Sequence, residues 1–146
     1  MKSILIVEDD QEFVKDLLAA WSPPGHVRCA GSGREAVQAI LEQPPDLILL
    51  DLSLPHYLAD VNEEEGLSLL CFIRENLRLE VPAIVITRDG SPEALARALA
   101  LGASGLLRKP ISVRELEGAI GNMLGKEADR PSDNGGPSTV NQDDEA

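Results

Sequence analysis

The sequence contains few cysteines and few basic residues, and each shortage excludes a class of site. Two cysteines occur among 146 residues, and neither lies in a CxxC pair or in a cysteine–histidine pattern. We therefore expect Cys29 and Cys71 to be buried thiols without a metal or redox role. Lysine and arginine number 13 against 25 acidic residues, a net charge of −12. An acidic chain without a basic stripe repels nucleic-acid phosphates, so we expect no direct binding to nucleic acid.

Long hydrophobic runs are also missing. The first apolar run, Ile4–Val7, spans four residues and ends in acids, which is too short for a signal peptide or a membrane span. We therefore expect a cytoplasmic protein that does not bind a membrane. A chain of 146 residues with 43% hydrophobic residues suits one compact domain with a substantial core.

Apolar and turn-forming residues alternate in a pattern that predicts five strands and five helices. Short apolar runs predict strands at about residues 4–7, 27–29, 47–51, 83–87 and 106–108. Apolar residues at helical spacing predict helices at about residues 11–21, 36–43, 67–77, 92–101 and 113–124. This alternation, joined by short turns, predicts a doubly wound α/β fold: a five-stranded parallel sheet in the flavodoxin-like order 2-1-3-4-5, with helices on both faces.

The composition changes near the C-terminus. From Glu127 onward the chain is rich in Gly, Pro, Ser, Asn and Asp, and it contains six acids and one arginine. Such a segment has too few bulky apolar residues to offset the entropy lost on ordering. We therefore expect a folded domain over residues 1–125 and a disordered acidic tail or linker over residues 126–146.

Acidic residues stand at the ends of two predicted central strands. Asp51 closes the apolar run Leu47–Leu50, and Glu8 and Asp9 follow Ile4–Val7. Ligands of open parallel sheets bind beyond the carboxyl ends of the strands, so we expect these three carboxylates to converge. Crowded carboxylates raise one another's pKa unless a cation joins them. Mg2+ fits, because it needs few protein ligands and keeps waters that a phosphate can replace.

Two further polar residues complete a predicted phosphoryl site. Asp51, at the centre of the sheet, is the candidate nucleophile toward phosphorus, a reaction that gives an acyl phosphate. Thr87 ends the fourth strand and can hydrogen-bond a phosphoryl oxygen, while Lys109 follows the fifth strand and can pair with another. Asp9 and Asp51 would hold the metal, with Glu8 reaching it through water and the main-chain carbonyl of Ser53 nearby.

Four segments of the chain, in this order, resemble the receiver domain of bacterial two-component response regulators: ILIVEDD at 4–10, DLILLDLSLP at 46–55, IVITR at 84–88 and GASGLLRKP at 102–110. The resemblance covers about residues 2–125. It implies a signalling module, not an enzyme, in which Asp51 accepts a phosphoryl group from a histidine kinase or a phosphotransfer protein. It further implies that Glu8 and Asp9 bind Mg2+.

The resemblance also implies how phosphorylation would change the conformation of the domain. Residues matching Thr87 and Lys109 couple phosphorylation to a rearrangement that changes binding of a downstream protein, and the bond from Lys109 to Pro110 is usually cis. Three features depart from the family pattern. Leu106 stands where the family usually has an aromatic residue, and Arg88 stands where it usually has a small residue after the threonine. Gly66 lies eleven residues after Pro55, an insertion of seven relative to the family.

Other interpretations stay open. The departures allow a phosphorylation-independent receiver that serves as an interaction domain. An aspartyl-nucleophile phosphohydrolase of the haloacid dehalogenase group would carry a second aspartate where this chain has Ser53. Asp10 is interpreted as the N-cap of the following helix. Gly31, Gly33 and Ala36 fit a GxGxxA dinucleotide pattern but follow the second strand, so they are interpreted as a turn.

Overall fold

The structure, a computed structural model, describes residues 2–52, 65–88 and 90–129. Within them lie five strands: β1 Ser3–Val7, β2 His26–Ala30, β3 Leu47–Asp51, β4 Ala83–Thr87 and β5 Gly105–Arg108. The helices among these residues are α1 Gln11–Ala20, α2 Gly33–Glu42, α3 Glu65–Glu75, α4 Pro92–Ala100 and α5 Val113–Asp129. Each predicted element is present.

The strands form one parallel sheet in the order β2-β1-β3-β4-β5, which confirms the predicted fold. Every residue of β1, β3 and β4 is buried. Because successive side chains of a strand point to opposite faces, each of these strands supplies two cores. Leu5, Ile48 and Val85 pack with α2, α3 and α4 on one face. Ile4, Leu49 and Ile84 take part in the core with α1 and α5 on the other.

Side-chain caps fix where several helices begin. The carboxylate of Asp10 accepts a hydrogen bond from the backbone N–H of Phe13, which confirms Asp10 as the N-cap of α1. Ser91 caps α4 in the same way, with Pro92 in the first turn. Trp21 and Gln43, predicted as the last residues of α1 and α2, are extended residues that follow those helices.

The two cysteines and the end of α5 differ from expectation. Cys29 is exposed and Cys71 is partly exposed, so the prediction of two buried thiols is wrong. Cys29 lies on β2, which is an edge strand of the sheet and is not covered like the central strands. Helix α5 continues to Asp129, and the rest of the predicted tail lies outside the described residues. In the part of the chain that the structure describes, no helix is long and apolar enough to cross a membrane.

Candidate functional site

Three carboxylates meet at the carboxyl edge of the sheet. Asp51 is the last residue of β3, and Glu8 and Asp9 directly follow β1. The register pairs Val7 with Leu50, so Glu8 and Asp51 stand at the same height on neighbouring strands. One ligand oxygen from each of the three acids lies within 4.8 Å of the others. The structure therefore brings together the three acids that were predicted to converge at the strand ends.

Lys109 reaches this cluster from the loop after β5, the edge strand beyond β4. Its Nζ lies 2.9 Å from Glu8 Oε1 and 3.6 Å from Asp51 Oδ2. Its backbone N–H donates to the carbonyl of Thr87 at 2.7 Å, which ties the loop after β5 to the end of β4. The peptide bond between Lys109 and Pro110 is cis, as the resemblance implied.

Thr87 occupies the neighbouring strand end and is buried. The register pairs Asp51 with Ile86, so Thr87 stands one residue beyond the level of Asp51. Asp51, Thr87, Lys109 and the acids after β1 thus share one edge. The predicted carbonyl ligand of Ser53 lies outside the described residues, as does most of the insertion before Gly66.

The pKa of Glu8 is raised by its surroundings in the cluster. Its side chain is 1% exposed, and burial is the largest cause that raises its pKa from 4.5 to about 7. The neighbouring Asp51 raises the pKa further, while the Lys109 ammonium and the backbone N–H of Asp10 oppose the shift. The site therefore disfavours the charged form of Glu8 when no metal is present.

The donor set fits a hard divalent cation. Carboxylate oxygens are the ligands that Mg2+ prefers, and a cation would favour the charged form of Glu8 against its burial and the neighbouring Asp51, which raise its pKa. Asp9 is exposed while Glu8 and Asp51 are buried, so the cluster has one open side. An open side leaves room for water or phosphate oxygens in the metal's coordination sphere.

Gly66 is a site residue that sequence reasoning noted only as the end of an insertion. A Cβ at this position would stand 2.5 Å from the carbonyl oxygen of Asp51 and 2.6 Å from the Cα of Leu52. Its N–H also donates to the carbonyl of Leu52 at 3.1 Å. The first turn of α3 therefore packs directly on the backbone of the candidate phosphoacceptor, where a side chain has no space.

Phe13 is a second residue that sequence reasoning missed, because its spacing assigned it only to the apolar stripe of α1. Its ring centroid lies 4.4 Å from the Nζ of Lys109, a distance at which a cation and an aromatic face attract. Phe13, Arg88 and Lys109 all line a cavity of about 360 Å³ between α1 and the loop after β5. The partner of Phe13 comes from a distant part of the chain, so no local pattern could reveal it.

Arg88 and Leu106, two of the residues that depart from the family pattern, lie in different surroundings. Leu106 is partly buried and packs on the core formed with α2, α3 and α4. Arg88 is exposed beside the cavity that Lys109 lines. The leucine thus fills core space, whereas the arginine adds a positive charge to the cavity that Phe13 and Lys109 line.

Comparisons with known proteins agree with this geometry. A model of the response regulator receiver domain family matches residues 4–121. The transcriptional regulatory protein GltR of Pseudomonas aeruginosa is 37% identical over 126 residues, which cover 84% of this chain and 49% of GltR. The transcriptional regulatory protein PmrA of Pectobacterium parmentieri is 33% identical over 122 residues, which cover 83% of this chain and 51% of PmrA. The chain spans about half the length of these curated relatives.

A solved structure shares the fold over nearly its whole length. The CheY-like response regulator receiver domain protein from Methanospirillum hungatei superimposes with a TM-score of 0.73 at 28% sequence identity. The match covers 88% of this chain and 97% of that one.

Proposed function

The chain belongs to the response regulator receiver domain family, and from this premise we propose that it accepts a phosphoryl group on Asp51 in a two-component phosphorelay. The observation that supports the proposal is the arrangement at the sheet edge. A buried carboxylate stands beside two further acids, and a lysine ammonium lies 3.6 Å from it. This arrangement supports Asp51 as the nucleophile, the acids as metal ligands and Lys109 as the cation for a phosphoryl oxygen.

The transfer proceeds by displacement at phosphorus. An oxygen of Asp51 forms a bond to phosphorus as the bond to a phosphohistidine nitrogen breaks, which yields an acyl phosphate and a free histidine. Lys109 pairs with one phosphoryl oxygen, and the Thr87 hydroxyl donates to another. Glu8, Asp9, Asp51 and the main-chain carbonyl of Ser53 would hold Mg2+, which would supply positive charge to the phosphoryl oxygens.

The partners follow from this chemistry. The phosphodonor is a histidine kinase or a phosphotransfer protein, and a downstream protein responds to the phosphorylated form. Phosphorylation acts as a population shift, because the phosphoryl group makes contacts in one conformer that it lacks in the other. We assign the receiver to residues 1–125 and an acidic tail or linker to residues 126–146, with α5 running four residues past this boundary to Asp129. With a net charge of −12, the chain acts through proteins rather than through direct contact with nucleic acid.

The test uses the full chain with Mg2+ and acetyl phosphate, followed by intact mass. We expect one phosphoryl group on the wild type and none on Asp51→Asn. Beryllofluoride, a phosphoryl mimic, is expected to change the backbone NMR signals of the wild type but not those of the variant. A wild type that reacts with neither reagent contradicts the proposal and leaves a phosphorylation-independent interaction domain. Turnover of p-nitrophenyl phosphate that is lost in Asp51→Asn would favour a phosphohydrolase instead.

A further inference from the structure

Lys109 and the start of α1 are joined by a closed circuit of contacts. The ammonium of Lys109 contacts Glu8 Oε1, and Glu8 Oε2 accepts from the N–H of Asp10 at 3.1 Å. The carboxylate of Asp10 accepts from the N–H of Phe13 at 3.1 Å, and the ring of Phe13 returns to the Lys109 ammonium. The helix cap that holds Phe13 is thus fixed by the same acid that holds Lys109.

A bound metal would weaken the contacts of the Lys109 ammonium with the carboxylates but not its contact with the Phe13 ring. Glu8 and Asp51 belong to the carboxylate cluster, and a divalent cation bound there would draw on their negative charge and repel the ammonium. The Phe13 ring is uncharged and contributes no oxygen to that cluster. Its attraction for the ammonium is therefore independent of whether the carboxylates hold a metal.

We propose that Phe13 is a positioning residue whose ring keeps the Lys109 ammonium within reach of Asp51 when a divalent cation occupies the carboxylates. The inference rests on the proposed transfer to Asp51, because a positioned ammonium matters for pairing with a phosphoryl oxygen. The Lys109 side chain is 12% exposed, and partial removal from water strengthens attraction to a ring. Ring and ammonium line the same cavity, so a smaller side chain at position 13 would admit water beside Lys109.

The first test compares three variants in the full chain at saturating Mg2+. Phe13→Leu keeps an apolar side chain but removes the ring, and we expect phosphorylation by acetyl phosphate to slow by about 2- to 30-fold. Phe13→Tyr keeps the ring and restores the rate. Phe72→Leu makes the same substitution in a phenylalanine of α3 that is 39% exposed, and its rate stays at the wild-type value.

A structural disturbance of the site gives a different result. Collapse at the start of α1 would also disturb Glu8, so it would raise the Mg2+ concentration needed for half of the maximal rate. Loss of positioning leaves that concentration unchanged in Phe13→Leu. A rate in Phe13→Leu equal to the wild type, or a reduced rate in Phe13→Tyr equal to that of Phe13→Leu, overturns the proposal.

The second test does not depend on phosphorylation. NMR of the Lys109 methylene protons next to Nζ should show an upfield ring-current shift in the wild type and in Phe13→Tyr, with and without Mg2+, and none in Phe13→Leu. A shift that vanishes from the wild type when Mg2+ is added overturns the proposal. A wild type that takes no phosphoryl group but keeps the shift contradicts the proposed function while supporting the placement of Lys109 by the ring.

Discussion

Glu8 is the residue whose charge responds most directly to the contents of the site. Burial and the neighbouring Asp51 raise its pKa to about 7, so below that pH the metal-free fold holds Glu8 mainly in the protonated form. Metal binding needs the carboxylate, and a proton and a divalent cation therefore compete for the same residue. The protonation of this one side chain links pH, metal binding and stability.

The first prediction concerns stability without metal. Between pH 4.5 and about 7 the folded chain keeps a proton on Glu8 that the unfolded chain releases, so the free energy of unfolding falls as pH rises through this window. Urea unfolding in EDTA at several pH values measures the slope. Glu8→Gln cannot release this proton and should show a shallower fall. Equal slopes in the wild type and the variant would contradict the shifted pKa.

Single residues also show where sequence reasoning succeeded and where it stopped. Asp51 and Glu8 could be predicted as neighbours because each follows a buried apolar run, and parallel strands end at a common edge. The contact between Phe13 and Lys109 could not, because it depends on how α1 packs beside the loop after β5. The exposure of Cys29 was missed because the pattern does not reveal how little covers an edge strand.

At the scale of elements, α3 is held at both of its ends by backbone from other parts of the chain. Gly66 in its first turn lies against the backbone of Asp51. Near its other end, Arg74 donates from Nε and Nη2 to the carbonyl of Gly102 at 3.1 and 2.8 Å, and from Nη1 to that of Leu79 at 2.7 Å. One helix thereby connects the candidate phosphoacceptor with the turn between α4 and β5.

The second prediction tests the first-turn attachment. Gly66→Ala should lower the free energy of unfolding by about 1–3 kcal/mol, because a methyl group forces the end of β3 to move. Gly118→Ala is the matched control. That glycine lies on α5 with open space where a methyl group would stand, so alanine should raise stability by about 0.5–1 kcal/mol. Denaturant unfolding that shows equal changes at both positions would contradict the close approach of Gly66.

The third prediction tests the other attachment. Arg74→Lys keeps the charge but cannot reach both carbonyls with a planar fork, so the free energy of unfolding should fall by about 1–3 kcal/mol. Arg114→Lys makes the same change at an exposed position on α5 and should stay within about 0.5 kcal/mol of the wild type. Denaturant unfolding measures both, and a loss no greater at Arg74 than at Arg114 would contradict the bridging role.

The bounds of helices and strands were predicted well where the spacing of apolar residues and the residues that end an element agreed. Strand β4 matches its predicted bounds because Pro82 precedes the apolar run and Thr87 ends it. Helix α1 ends one residue before the prediction because Trp21 continues the apolar stripe but adopts an extended backbone. The buried Trp21 side chain therefore belongs to the core without belonging to the helix.

For the molecule as a whole, the acidic cluster couples metal binding to the folding equilibrium. A ligand that binds only the folded chain raises the free energy of unfolding, by about 2.7 kcal/mol at one hundred times its dissociation constant. Because Glu8 and Asp51 are buried beside each other, ionising both costs free energy in the metal-free fold, and a divalent cation offsets that cost. The net charge of −12 adds to the attraction for cations at low salt.

The fourth prediction follows from this coupling. Mg2+ should raise the thermal midpoint of the wild type, and the rise should be largely lost in Asp9→Asn, which removes a cluster oxygen donor of full charge. Asp16→Asn makes the same charge change at an exposed position on α1 and should keep the rise. Calorimetry at constant ionic strength separates binding from general screening. Equal rises in both variants would mean that Mg2+ acts on overall charge instead of at the cluster.

The hydrogen bonds around Leu52 have a consequence for how this chain can vary in length. The N–H of Leu52 donates to the carbonyl of Ile86 at 3.0 Å, and the carbonyl of Leu52 accepts from the N–H of Gly66 at 3.1 Å, so hydrogen bonds hold the two described residues that flank the insertion. The cost of closing a loop grows by only about 0.6 kcal/mol for each doubling of its length. Relatives can therefore differ in length between Pro55 and Gly66 at a small free-energy cost, provided that Leu52 and Gly66 keep these hydrogen bonds beside Asp51.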